Sequence, residues 1–147
     1  MTWHIRSAKK EDLIKLEGFL NEAGVSSVGL EDSIDNFSLI ETKEGELKAC
    51  LGVDPVGQAG LLRSFVVSPQ IGQPELLLLF KRAFLTAKNK ELEALYLVTN
   101  KMSAVSFFSG LGFEMVNNSE LPEELLEKNH LKHALTVDNS AVMKIIL

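Results

Sequence analysis

The sequence predicts a mixed α+β fold, with a mostly antiparallel central sheet of about seven strands flanked by helices. Three observations lead there. Between Phe37 and Val67, three β-type runs are separated only by short turns, which reads as an antiparallel meander. From Pro74 onward, helix-type and strand-type runs alternate, as β-α-β crossovers require. The chain has 147 residues, enough for one hydrophobic core and cramped for two, so residues 1–147 are expected to form a single domain.

Each element has a local reason. Trp3-His4-Ile5-Arg6 alternates apolar and polar, the pattern of a half-buried strand. Lys10 to Asn21 carries Leu13, Leu16, Phe19 and Leu20 at helical spacing, with Glu11 and Asp12 in the first turn where the helix dipole favours acid. Gly24 stops that helix, and a short helix is expected near Leu30 to Asp35. Phe37 to Glu41 and Leu47 to Val53 flank Lys43-Glu44-Gly45-Glu46 as a hairpin. A second turn is expected at Asp54-Pro55-Val56-Gly57, followed by a central strand from Gly60 to Val67. Pro74 to Lys88 is the second major helix, with Leu76, Leu79, Phe80, Ala83, Phe84 and Ala87 on one face. Leu77, Leu78 and Leu85 widen that face and predict deep burial. Leu95 to Val98 (strand), Ser103 to Leu111 (helix), Phe113 to Val116 (strand), Pro122 to Leu131 (helix) and Ala141 to Ile146 (strand) complete the order.

Composition narrows the function. Apolar residues make up 46% and charged residues 24%, an ordinary globular balance without a disordered tail. The net charge of −5 is carried with dispersed lysines and arginines, which argues against nucleic acid. Cys50 is the only cysteine, so neither an intrachain disulfide nor a paired-cysteine zinc cluster is possible. It reads as a buried strand residue. His4, His130 and His133 lack the partners of a metal set, and no metal is expected. The longest apolar run, Leu76 to Phe80, is far short of the roughly 20 residues that span a bilayer. No membrane association is expected, and the charged start of the chain suggests a cytoplasmic protein.

Four local patterns then occur in order. They are Ile5-Arg6-Ser7-Ala8-Lys9-Lys10-Glu11-Asp12-Leu13, the hairpin with Gly52 near its end, Leu62 to Pro69, and Ala104 to Phe113 with its Gly-Phe ending. Together they make the chain resemble the GNAT superfamily of acetyl-coenzyme-A-dependent N-acyltransferases over essentially its whole length. Leu95 to Thr99, Phe107-Phe108 and Glu120 to Glu124 look closest to the amino-acid-type members, among them N-acetylglutamate synthases and arsenic-resistance-associated N-acetyltransferases.

The resemblance implies acetyl-CoA as cosubstrate and a small amino-acid-like amine as acceptor, joined by direct attack without an acyl-enzyme. It implies that the backbone of Phe65, Val66 and Val67 holds the acetyl carbonyl and pantetheine, although a buried central strand would read the same way. Gly72 and Gln73 fall in the expected pyrophosphate loop, Gln70-Ile71-Gly72-Gln73-Pro74-Glu75-Leu76, where they can form a partial nest. Two neighbours oppose phosphate there. Pro74 has no N–H, and Glu75 brings negative charge into the first helical turn.

Asn100 and Ser103 can hydrogen-bond pantetheine, or serve as helix caps. Arg63 can pair with an acceptor carboxylate, or stand as a solvent-facing strand charge. Where many relatives carry a tyrosine as general acid, this chain has Phe108, and the central strand Leu61-Leu62-Arg63-Ser64-Phe65 offers no carboxylate as base. No catalytic residue is therefore assigned. Two readings stand from the sequence: an N-acetyltransferase, or a degenerate, non-catalytic domain of the same fold that binds a metabolite or a protein. The leucine-rich helix at Leu76 to Phe80 also leaves a homodimer open.

Overall fold

A computed structural model describes residues 3–126 and 140–147. Seven strands form one sheet in the order β1-β2-β3-β4-β5-β7-β6. They are β1 (Trp3–Ser7), β2 (Phe37–Thr42), β3 (Leu47–Val56), β4 (Ala59–Val67), β5 (Ala94–Thr99), β6 (Glu114–Val116) and β7 (Ala141–Ile146). The helices are α1 (Leu13–Glu22), α2 (Leu30–Ser33), α3 (Gln73–Asn89), α4 (Met102–Leu111) and α5 (Glu123–Leu126). The β1/β2, β2/β3, β5/β7 and β6/β7 pairs are antiparallel, while β4 and β5 run parallel. The α+β class and the mostly antiparallel seven-stranded sheet expected from the sequence are both present. The chain groups into two compact units, one comprising the residues up to Asp54 with Leu62–Asn89, the other Pro55–Leu61 with the described residues from Lys90 onward.

In the first unit, α1 and α2 seal a core of Leu16, Leu20, Leu30, Ile34, Phe37 and Leu39, all at most 2% exposed. The α1 stripe supplies Leu16 and Leu20 at i, i+4, as an amphipathic helix should. Gly52 is required by packing. A Cβ there would stand 2.5 Å from the Phe37 ring, so only glycine lets that ring lie on the strand. The helix α3 packs on β1 and β2 through Leu79, Phe80, Ala83 and Ala87. Leu77, Leu78 and Leu85 are 45%, 52% and 57% exposed, which corrects the expectation that they widen the buried face. A helix lying on a sheet buries one stripe, and these three point away from it.

The turn expected at residues 54–57 lies further on. β3 continues through Val56 and the chain reverses at Gly57-Gln58, with Gly57 at φ 61 as tight hairpin turns demand. Pro55 misled the sequence reading because proline seldom sits inside a sheet. It is tolerated here because β2 begins opposite Gly52, leaving the last residues of β3 without a partner on that side. Asp54 thus becomes a buried strand residue rather than a turn residue.

In the second unit, Ala59, Leu61, Ala94, Tyr96, Leu121, Leu125 and Val142 form the core. Gly112, at φ 109, ends α4 in the left-handed conformation and hands the chain to Phe113. Of the helix expected at Pro122 to Leu131, Glu123–Leu126 is observed; His130, His133 and the remainder lie outside the described residues. Among the described residues, no helix is long and apolar enough to cross a membrane.

Candidate functional site

β4 changes character along its length. Ala59 to Leu62 are buried, whereas Arg63 to Val67 are partly or fully exposed, with Phe65 at 37%. Open stretches on a central strand are where ligands can lie against a sheet, although antiparallel sheets also tolerate one solvated face. Of the three residues, Phe65 is exposed, while Val66 and Val67 are half-buried.

The change begins at Ser64, whose φ of 53 places a non-glycine residue in the left-handed region. That conformation costs on the order of 1 kcal/mol and persists only where surroundings enforce it. Two partners do so. The buried Cys50 thiol donates to the Ser64 carbonyl at 3.1 Å, and the Phe65 ring packs edge-on against Phe80 of α3 with centroids 5.1 Å apart. Val66 packs into the opposite core, beside α1 and α2. Burial pushes the Cys50 thiol up to about 12, so it is a packing and hydrogen-bonding group rather than a nucleophile. The end of the strand is tied down by Ser68 N–H donating to the Lys48 carbonyl at 2.7 Å.

Arg63 is not a solvent-facing charge. Its guanidinium donates to Asp54 Oδ2 at 3.3 Å, to Ser64 Oγ at 3.2 Å and to the Val28 carbonyl at 3.3 Å. The Arg63 and Asp54 side chains are only 11% and 9% exposed. A carboxylate thus stands beside the irregular strand after all, but it comes from β3. Sequence reasoning missed it by assigning Asp54 to a turn. The signal that could have found it is register: a turn two residues later lets Asp54 reach Arg63 across the hairpin.

Gly72 and Gln73 lie at the entry of α3, exposed, in the same unit as Phe65–Val67. Leu76 N–H bonds the Gly72 carbonyl at 3.2 Å, closing the first turn. Pro74 contributes no donor. A Cβ on Gly72 would stand 2.9 Å from Glu75 Oε2, so the Glu75 carboxylate lies over the loop where an anion would otherwise approach.

In the second unit, Asn100 and Ser103 are exposed around the start of α4. Neither caps it. Lys101 is the N-cap without a side-chain bond, and Thr99 Oγ1 accepts from Lys101 N–H at 3.3 Å. Phe108 is 7% exposed and packs edge-on with Phe107 and Phe113 at 5.4 and 5.5 Å, a hydroxyl-free aromatic cluster. No group of three potential metal ligands occurs among the described residues.

This architecture is the fold of the GNAT acetyltransferases. N-acetylglutamate synthase from Neisseria gonorrhoeae, solved with coenzyme A and N-acetyl-glutamate, superposes with a TM-score of 0.76 at 23% identity. The match covers 100% of this chain but 35% of the synthase, so the chain spans about a third of that protein. Rv2747 from Mycobacterium tuberculosis, solved with CoA, gives 0.77 at 16% identity, covering 98% of this chain and 99% of its own. The PaiA N-acetyltransferase of Thermoplasma acidophilum, solved with coenzyme A, gives 0.68 at 16%, covering 100% of both. No protein-family profile matches the chain. In sequence it is 30% identical over 145 residues to the "Uncharacterized protein YwlB" of Bacillus subtilis, covering 98% of this chain and 97% of that protein. The chain belongs to the same family as YwlB.

Proposed function

We propose that the protein is an acetyl-CoA-dependent N-acetyltransferase acting on the amine of a small, amino-acid-like acceptor. The observation that carries this reading is the open half of β4, in which a left-handed Ser64 is followed by an exposed Phe65 and a partly exposed Val67. An extended pantetheine arm can pair with such a backbone as an added strand would, without requiring particular side chains. The fold shared with structures solved in the presence of coenzyme A supports the same choice.

In the proposed reaction the amine lone pair attacks the thioester carbonyl. The C–N bond forms, the C–S bond breaks, and the proton lost by nitrogen balances the one gained by the departing thiolate. Phe108 can supply no proton, so the thiolate is protonated from solvent. Arg63 is proposed to meet the acceptor carboxylate, exchanging one of its 3.3 Å contacts for a shorter charged one.

Calorimetric titration with coenzyme A tests the reading. Saturable binding supports it, and absence of heat at millimolar ligand rejects catalysis. A thiol-release screen over amino acids then identifies the acceptor.

A second reading, a cofactor cleft reused without catalysis, is favoured by Glu75 lying against Gly72. Glu75→Gln separates the two. If the carboxylate only weakens phosphate binding, the variant binds coenzyme A several-fold tighter than the parent. Unchanged affinity rejects the loop argument.

A further inference from the structure

The second unit contains a groove of about 530 Å³ that the acetyl-transfer proposal does not use. Its floor is the sheet face on which Ala59 and Ala94 stand, next to the Tyr96 ring. Two alanines side by side on a face otherwise carrying Leu61, Tyr96 and Val142 leave room that larger side chains would fill.

A lysine interrupts this apolar face. Lys144 is half-buried on β7, directly opposite Tyr96 in register, and its Nζ stands 5.6 Å from the centre of the Tyr96 ring. Glu114 is its register partner on the other side, yet Lys144 lines the groove on the Tyr96 side and makes none of the ion pairs found among the described residues. Among the described residues this half-buried ammonium has the Tyr96 face beside it and forms no ion pair, so an anionic ligand group would complete it. At the rim stand two exposed carboxylates, Glu93 and Glu124. One half-buried cation with two rim anions disfavours a simple dianion and suits a ligand carrying both signs.

We propose that this groove binds a small zwitterion of the α-amino-acid class with an apolar side chain. Its carboxylate meets Lys144, its ammonium faces Glu93 and Glu124, and its side chain lies against Tyr96 and Ala94. The site is independent of acetyl transfer, because none of its residues belongs to the Phe65–Gln73 stretch.

Calorimetry on the full chain with L-phenylalanine, L-phenylalaninamide and N-acetyl-L-phenylalanine tests it. L-phenylalanine binds saturably, and each blocked analogue binds about tenfold or more weakly, because each loses one charge-assisted contact. Lys144→Met loses a similar factor for L-phenylalanine and no longer distinguishes it from the amide. Glu124→Gln narrows the gap to the N-acetyl form, while Lys81→Met on α3 changes nothing. The proposal is overturned by no binding at about 10 mM, by an amide that binds as well as the free acid, or by Lys144→Met at parental affinity. Should Lys144→Met fail to fold, the three ligands on the parent protein still decide.

Discussion

Two arginines of the first unit do different work with the same chemistry. Arg6 reaches Asp12 through both terminal nitrogens, each at 2.8 Å, and Glu41 through Nε at 2.8 Å. Arg63 spreads its guanidinium over one carboxylate, one hydroxyl and one carbonyl, none nearer than 3.2 Å. The first, with Lys15 Nζ 3.5 Å from Glu41 as the second cation, is a closed, charge-matched clamp that ties β1 to the start of α1 and to β2. The second is a looser tie beside an irregular strand. Short bidentate contacts consume a guanidinium's capacity, whereas long divided ones leave it able to exchange a partner for ligand. Arg6 therefore belongs to stability, and Arg63 to the proposed acceptor site.

Replacement tests the comparison at its widest. Arg6→Met leaves Glu41 with only Lys15, at 3.5 Å, and Asp12 with only the Lys9 backbone N–H, and costs about 2–3 kcal/mol in urea unfolding, less than breaking a fully buried pair because Arg6 is 30% exposed. Arg63→Met removes one longer ion-pair contact, but from the buried Asp54 carboxylate, and costs about 1.5–3 kcal/mol, the scale of hydrogen bonds to charged groups. A larger loss for Arg63→Met than for Arg6→Met would break the distinction.

The clamp also sets an acid limit. The Arg6 guanidinium, followed by the Lys9 backbone N–H, holds the Asp12 carboxyl down to about 2 from 3.8, and Arg6 lowers Glu41 as well. A depressed carboxylate adds stability that is complete above the unfolded value and is lost as pH falls through the folded one. About 2 kcal/mol should therefore disappear between roughly pH 4 and pH 2. Unfolding titrations across that range should show the slope in the parent and a reduced one in Arg6→Met. The smallest effect concerns the irregular strand itself. Ser64→Gly removes the left-handed penalty but adds unfolded-state freedom, for a net gain of about 0.5 kcal/mol. A loss would mean that Ser64 Oγ, through its bond from Arg63, matters more than the backbone.

Most of the fold was legible because hydrophobic period and turn chemistry agree. Ala141 to Ile146 is observed with its expected bounds, and Gly52 and Gly112 stand where only glycine fits. What escaped depends on register or on one-sided burial. Pro55 hid the true end of β3 and with it Asp54. Leu77, Leu78 and Leu85 share a helix with core residues, and sequence alone does not say that α3 is covered on one side. The strain at Ser64 is invisible because serine carries no preference for left-handed backbone; only the position of Cys50 and Phe80 around it shows why it is held. The opposition of Glu75 to an anion was readable from helix-terminus electrostatics, and its placement against Gly72 agrees.

The central claim, that the open half of β4 receives coenzyme A, is met most directly by amide hydrogen exchange at Phe65 and Val67 with and without coenzyme A, since the Val66 N–H is already turned toward Cys50 of β3. Protection of those two amides on saturation, with the Arg6 clamp region unchanged, is the predicted result. Saturable binding that leaves both exchanging at their free rates would contradict it.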